Sequence, residues 1–531
     1  MSPFRIALQA CCVSILSITA GTPHAVQEPS QEPERHGHSM EQAEGAEFVE
    51  ANPSLNGRWT TVRSLAMPIN PIHAAMMHTG KVLVIAGSGN DAGNPNLRAA
   101  IWDPDGGSIR TFKLPWDMFC SGMVILPNGS PFVVGGNKQY ENGPGRPWLG
   151  LPRAATFDPI TEGFTDVANM NGGRWYPTAT VLGDGSVMVY SGDNDTDGKK
   201  NLAVEIWRRG SWVPAGTAFS DVSWYPRQHL LPSGKIFVSG WQARSQLYDP
   251  ATGSFTPVAA TRLGRHRDYG TSVLLPLTPA NGFTPKVMIL GGGRPTTETT
   301  ELIDLSGAPS SWQWVAGPPM VKPRKHLNAT LLPNGKVLVS GGGEDGTARY
   351  PVLAAQLYDP QTNPQTNAFS SASTMQFRRL YHSNTLLLPD GTVAAIGSNP
   401  TLGFEPSIEI YSPPYLFKAD GSAASRPAIT SLSSPVMLFD REIEVRTPNA
   451  ADVRTVVLIR PGAPTHAFDM EQRLVGLTFT AGSGLLRVRA PENGNLAPPG
   501  YYLLFLVNSR GVPSVGQFVR LSGFTPTPEL P

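Results

Sequence analysis

Residues 378–399 read RRLYHSNTLLLPDGTVAAIGSN. An apolar run, a tight-turn tetrapeptide and a second apolar run closing on Gly spell a β-hairpin, because Asp-Gly accepts the positive φ that such a turn demands. The pattern recurs as MMHTGKVLVIAGSG (76–89), MVILPNGSPFVVGGN (123–137), ATVLGDGSVMVYSGD (179–193), QHLLPSGKIFVSGW (228–241), SVLLPLTPANGFTPKVMILGGG (272–293) and ATLLPNGKVLVSGGG (329–343). The period is about 50 residues, typical of kelch-like blades. Most copies are followed by an outer hairpin such as ATFDPITEGF (155–164) or QLYDPATGSF (246–255). Two hairpins make a four-stranded unit, and seven units predict an all-β, seven-bladed kelch-like β-propeller over residues 57–417.

Composition agrees with a turn-rich β protein. Only 16% of the 531 residues are charged, while Gly and Pro number 55 and 51. The net charge of +1 leaves no basic stripe for nucleic acid. Beyond the leader no apolar stretch reaches the length of a membrane span.

Residues 1–25 have a basic start at Arg5, an apolar stretch over 6–21 and small residues at Ala20 and Ala25, and so read as a signal peptide; a retained N-terminal anchor is the other reading. The expected location is secreted or cell surface. Residues 26–56 begin with seven Glu against one Arg through position 50 and read as a disordered acidic tether, with His36 and His38 as solvated tail residues. With Cys11 and Cys12 in the leader, the mature chain keeps a single thiol, Cys120, which cannot form an internal disulfide.

After the Pro-rich connection SPPYLFKADGSAASRP (412–427), alternating runs such as EIEVRT, TVVLIR, RLVGLTF, LLRVRA and YYLLFLV predict about seven short strands. Residues 425–523 are therefore expected to form an immunoglobulin-like β-sandwich. It contains one histidine, His466, which a Gly-Ala-Pro-Thr approach and a polar exit place on a loop between strands.

The hairpin turns allow the blades to be stacked on one another. Seven residues before the first turn position stand Pro71, Cys120, Tyr176, Tyr225, Tyr269, His326 and His382. Equal rank in a propeller is equal height around the axis. A thiol, three phenols and two imidazoles at one height make either a chemical ring at the channel mouth or a hydrogen-bonded layer sealing the axis. Cys120 and Tyr176 lie on adjacent blades, and Tyr381 precedes His382. A metal near the axis would find Tyr176, Tyr381 and His382, with His466 as the natural fourth ligand. Imidazole and phenolate donors suit Cu(II) better than zinc or calcium.

At these residues the chain resembles the copper radical oxidases, the galactose oxidase and glyoxal oxidase family, over about residues 57–523. The resemblance implies an immunoglobulin-like domain of early-set type and a copper ion held by two tyrosines and two histidines. One of those tyrosines is joined to a cysteine as a self-derived thioether radical cofactor. MFCSG supplies Cys120, GGRWYPTAT supplies Tyr176, RLYHSN supplies Tyr381 and His382, and PTHAFDMEQR supplies His466. The implied reaction is two-electron oxidation of an aldehyde or primary alcohol, with O2 reduced to hydrogen peroxide; the expected partners are the small-molecule substrate and O2, and the expected state is a monomer. Galactose oxidase has a tryptophan soon after the linked tyrosine, where this chain reads VYSGDNDTDG (189–198), and an N-terminal carbohydrate-binding domain in place of the tether. Both departures tilt the expectation toward glyoxal oxidase. Tyr225, Tyr269 and His326 would line a substrate pocket or serve structure alone. Arg227 would orient substrate or sit on the surface. The alternative function is a non-catalytic secreted propeller that binds glycan or protein partners.

Overall fold

The computed structural model describes residues 52–523 except 144, 220–221, 363–368 and 401–402; the leader 1–25, the tether through residue 51, His36 and His38 lie outside the described residues. The last residues of the stretch read as tether are ordered, with a four-residue helix at Pro53–Asn56 capped by the Asn52 side chain. Proline in its first turn and an Asx cap supply the local signal.

Among the described residues, every hairpin copy forms the inner half of its own antiparallel sheet. The first sheet contains His73–Met76, Val82–Gly87, Arg98–Asp103 and Ser108–Lys113. The second, third, fourth, fifth and sixth begin with Gly122–Ile125, Thr178–Val181, Arg227–Leu230, Thr271–Leu274 and Lys325–Leu331. In the seventh, Asn384–Leu387, Val393–Ile396 and Ser407–Ser412 are completed by Arg58–Ala66 from the other end of the chain. Each innermost strand touches the next in order, and the seventh touches the first, so the sheets form a closed circuit. Every residue of these innermost strands is buried. The innermost strands are thus covered on both faces, and the polar members among them, such as Arg227, His229 and Asn328, are buried with hydrogen-bond partners.

A recurrent polar device pins the sheets. Arg174, Arg267 and Arg379 are fully buried and pair with Glu205, Glu301 and Glu409 on the third strand of their own sheets at 2.8, 2.6 and 2.9 Å. Each also donates to the carbonyl just after the second strand, that of Ser191, Gly291 or Gly397. The same glutamates accept backbone N–H groups of the entering loop, at Asn171, Arg262 and Gln376. Breaking such a pair leaves an uncompensated buried charge and costs about 3–5 kcal/mol.

The C-terminal region is a sandwich of two sheets. One contains Ser431–Leu432, Glu442–Arg446, Leu485–Arg489 and Phe479–Gly482; the other contains Val436–Leu438, Gln517–Ser522, Gly500–Asn508, Val453–Arg460 and Arg473–Leu477. That is nine strands where about seven were expected. The additions include Ser431–Leu432 and Val436–Leu438, two and three residues long and too short to show alternation. Met437, Val445, Leu458 and Leu504 share one apolar core with Leu231, Phe237, Leu274 and Val287 of the fourth and fifth sheets.

From this sandwich the segment 460–473 runs into the circuit. Pro464–Thr465 and Phe468–Asp469 form a hairpin that extends the first sheet, with Thr465 opposite His73. Arg460 donates to Ile125 C=O of the second sheet at 2.8 Å, Arg473 to Leu230 C=O of the fourth at 2.8 Å, and Gln472 to Ala329 C=O of the sixth at 2.7 Å. One insertion is thus tied to sheets all round the circuit.

Candidate metal centre

The shared rank found in the sequence has a structural signature. Cys120, Tyr176, Tyr225, Tyr269, His326 and His382 all adopt left-handed backbone, with φ between 41° and 67°. Pro71, the seventh member, cannot adopt it because its ring holds φ negative. Each such residue costs about 1–2 kcal/mol relative to ordinary backbone, and the conformation is kept only where its surroundings impose it. Here Tyr176 N–H donates to Cys120 C=O at 2.9 Å, Tyr225 N–H to Tyr176 C=O at 3.0 Å, and His326 N–H to Tyr269 C=O at 2.9 Å. These bonds lace neighbouring sheets together at the level of the ring.

His466 joins this level from the inserted hairpin. It is buried at the tip, where His466 and Ala467 are both left-handed at φ 47° and 63°. The expected loop between strands is therefore a buried two-strand turn, because its flanks pair with each other and with the first sheet.

Ligand atoms of Cys120, His382 and His466 lie within 4.8 Å of one another, all buried. Cys120 Sγ is 3.5 Å from His466 Nε2. The hydroxyls of Tyr176 and Tyr381 are hydrogen-bonded to each other. The Tyr381 ring stacks on His382 at 3.7 Å, Tyr176 meets His466 edge-on at 4.6 Å, and the two imidazoles are 4.5 Å apart at 83°. All five predicted site residues converge on one buried point.

Hydrogen bonding sets the histidine tautomers. Thr465 donates its only proton to Ile72 C=O at 2.9 Å, so its oxygen accepts from His466 Nδ1–H at 2.6 Å, leaving the Nε2 lone pair directed into the site. His382 Nδ1 donates to Asn399 Oδ1 at 2.5 Å, and its Nε2 is buried with no hydrogen-bond partner. Burial pushes His382 down to about 3 and His466 well below the ordinary histidine range, so both rings are neutral at physiological pH. An orphaned buried imidazole nitrogen, a second inward Nε2, two phenols and a thiol are a donor set that fits copper.

The remaining members of the ring divide. Tyr225 is fully buried and its hydroxyl donates to Ser121 C=O at 2.7 Å, which commits it to structure. Tyr269 and His326 are 8% exposed, their rings lie 4.4 Å apart at a tilt of 39°, and His326 lies 5.2 Å from Tyr381, so this pair borders the site. Arg227 is not a surface residue: it is fully buried and bonds three backbone carbonyls, including that of His466.

Two features were missed in the sequence. The aromatic cover of Tyr176, which the stretch 189–198 does not supply, comes from other positions: Trp175 lies 4.2 Å from its ring, Tyr225 4.6 Å and Trp224 6.0 Å. Trp175 in turn stacks on Trp148 at 4.3 Å and 7°. The tryptophan beside Tyr176 in RWYP was the available cue. The second is His73, fully buried two residues after Pro71, with neither ring nitrogen partnered and its ring 6.0 Å from His466.

Comparison with known proteins gives these observations their context. The family model described as Glyoxal oxidase N-terminus matches residues 93–415, and that described as Galactose oxidase-like, Early set domain matches 426–521. An aldehyde oxidase of Vitis pseudoreticulata is 31% identical over 472 residues, 80% of this chain and 85% of that protein. A galactose oxidase of Gibberella zeae is 26% identical over 538 residues, 90% of this chain and 72% of that protein. A fungal alcohol oxidase solved in complex with copper superposes with a TM-score of 0.76 at 24% identity, covering 88% of this chain and 99% of that one, a likeness that speaks to fold alone. With a family model spanning more than half its length and a relative matched along most of both chains, this protein belongs to the copper radical oxidases, the family of glyoxal oxidase and galactose oxidase.

Proposed function

We propose that this protein is an exported copper radical oxidase that oxidises an aldehyde or primary alcohol by two electrons and reduces O2 to hydrogen peroxide, glyoxal-oxidase-like more than galactose-oxidase-like. The observation that carries the reading is the convergence of two inward imidazole nitrogens, the hydrogen-bonded pair Tyr176 and Tyr381, and Cys120 at one buried point. The scaffold is read as a seven-bladed kelch-like propeller over 57–417 with an early-set sandwich over 425–523, supported by the closed circuit of sheets. Export rests on the leader 1–25.

Copper, when bound, supplies a one-electron acceptor and a place for the substrate oxygen. His382 and His466 would hold it through Nε2, and Tyr176 and Tyr381 through their phenol oxygens. Tyr381, the partly exposed phenol, takes the proton of the substrate hydroxyl, or of the hydrate in the case of an aldehyde. Tyr176, oxidised and joined to Cys120 through a thioether, takes the hydrogen atom from carbon. The substrate would thus give up two protons and two electrons in all, which is what O2 needs to become hydrogen peroxide. Sulfur substitution makes a phenol easier to oxidise, and Trp175, Tyr225 and Trp224 keep water from its ring.

Peroxide release by copper-loaded protein from glyoxal, methylglyoxal, glycolaldehyde and galactose under air is the test. Turnover of the small aldehydes ahead of galactose is expected; no peroxide from any of them would overturn the reading.

A further inference from the structure

The buried arginines of the circuit do not all behave alike. Arg174, Arg267 and Arg379 each stay within their own sheet and meet a glutamate. Arg324 meets no carboxylate among the described residues, yet it too stays at home, on the carbonyls of Gly341 and Ala354. Arg227 stands two residues after its ring residue Tyr225 rather than before it, and its guanidinium points inward.

It is fully buried and, among the described residues, has no carboxylate partner. Its Nη1 donates to Tyr225 C=O at 2.8 Å, its Nη2 to Gly270 C=O at 2.8 Å and to His466 C=O at 3.1 Å, and its Nε also reaches Gly270 at 3.3 Å. The guanidinium lies 5.2 Å from the Phe468 ring centroid and 5.8 Å from that of Trp241. Phe468 belongs to the inserted hairpin and Trp241 to the loop after the fourth sheet's second strand. Three carbonyls on three separate segments are joined by one planar fork, which a lysine ammonium cannot reproduce.

The place where this fork arrives matters. His466 and Ala467 are consecutive non-glycine residues in left-handed backbone, a turn that does not hold itself. The first sheet supports one side through Thr465; from the fourth sheet the rings of Tyr225 and His229 pack on His466 and Phe468, and the hydrogen bond to the backbone of the tip comes from Arg227. We propose that Arg227 is the positioning residue that makes His466 a metal ligand, locking the strained tip of the inserted hairpin to the fourth and fifth sheets. This rests on the copper reading of the site.

Arg227→Lys keeps the charge and removes the fork. Two readouts separate positioning from general support. In the metal-free protein, hydrogen exchange at residues 464–469 should accelerate while exchange in the inner strands stays at the wild-type rate. Copper affinity, measured by chelator competition, should fall about 10–100-fold, as for other residues that orient a ligand. The electron paramagnetic resonance spectrum of Cu(II) should show altered nitrogen coupling. Adding Ala467→Gly, which relieves the left-handed backbone, should restore part of the affinity in the Arg227→Lys background. Wild-type exchange and wild-type copper affinity in Arg227→Lys would overturn the proposal. Should that variant not fold, the wild-type apo-protein decides: protection of the Ala467 and Phe468 amides supports a pre-locked tip, and free exchange there contradicts it. If the wild-type protein binds no copper, the copper reading falls while the exchange experiment still judges the role of Arg227.

Discussion

His382 and His466 offer the same atom to the same point but are held in opposite ways. His382 is carried by its own sheet: Asn399, seventeen residues away, orients its ring, and Arg379 just before it is pinned to Gly397 and Glu409. Gly397 leaves room for the left-handed turn, since a Cβ there would lie 2.7 Å from the His382 carbonyl. His466 has almost nothing local beyond Thr465, and depends on Ile72 and Arg227, 393 and 239 residues from its own hairpin. One imidazole is part of the scaffold, and the other is delivered to it. A centre divided in this way is complete only when the sandwich is docked in the circuit.

The largest effect should come from removing either imidazole. His382→Ala and His466→Ala should each lose copper on desalting, but only His466→Ala should leave the thermal stability of the apo-protein close to wild type. Equal stability losses in both would break the comparison. Next in size, Glu409→Ala strips Arg379 of its partner and should destabilise the protein by about 3–5 kcal/mol in denaturant titration, with the inserted hairpin still protected from exchange. A loss below about 1 kcal/mol would show that the arginine finds other company.

Smaller changes are expected from the groups that set the tautomers. Asn399→Ala and Thr465→Val should each weaken copper binding about 10–100-fold without altering the fold. An effect at only one of them would show that one ring is held by packing instead. The smallest concerns pH. His382 is pushed down to about 3 and His466 well below its ordinary value, so the unfolded chain binds protons that the folded one refuses. Their stabilisation is present above pH 6.5 and lost as pH falls toward 3. Each should cost the apo-protein about 1 kcal/mol between pH 6.5 and 5.5. Apo-protein stability that stays flat across that interval would show that these rings are not held neutral.

The scaffold of this division was readable in the chain because it repeats. Hairpin copies a fixed distance apart put Cys120, Tyr176 and His382 at one rank, and the shared left-handed backbone is the physical content of that rank. The same stacking would have exposed Glu205, Gln246, Glu301, Gln356 and Glu409 as a recurrent third-strand position, a cue that went unused. Arg227 was out of reach. Its partners are distant carbonyls, which leave no mark of residue type in the sequence, and an inward arginine reads like any other. The aromatic cover of Tyr176 was missed for a related reason: it is assembled from Trp175, Trp224 and Tyr225, not from one tryptophan at a set spacing.

The central claim, that Cys120 and Tyr176 become one cofactor beside copper, meets its most direct test in intact mass. Wild-type protein exposed to copper and air should lose two hydrogens and its alkylatable thiol, and Cys120→Ala should lose neither mass nor any hydrogen. An unchanged mass with a thiol that still alkylates fully would contradict the account.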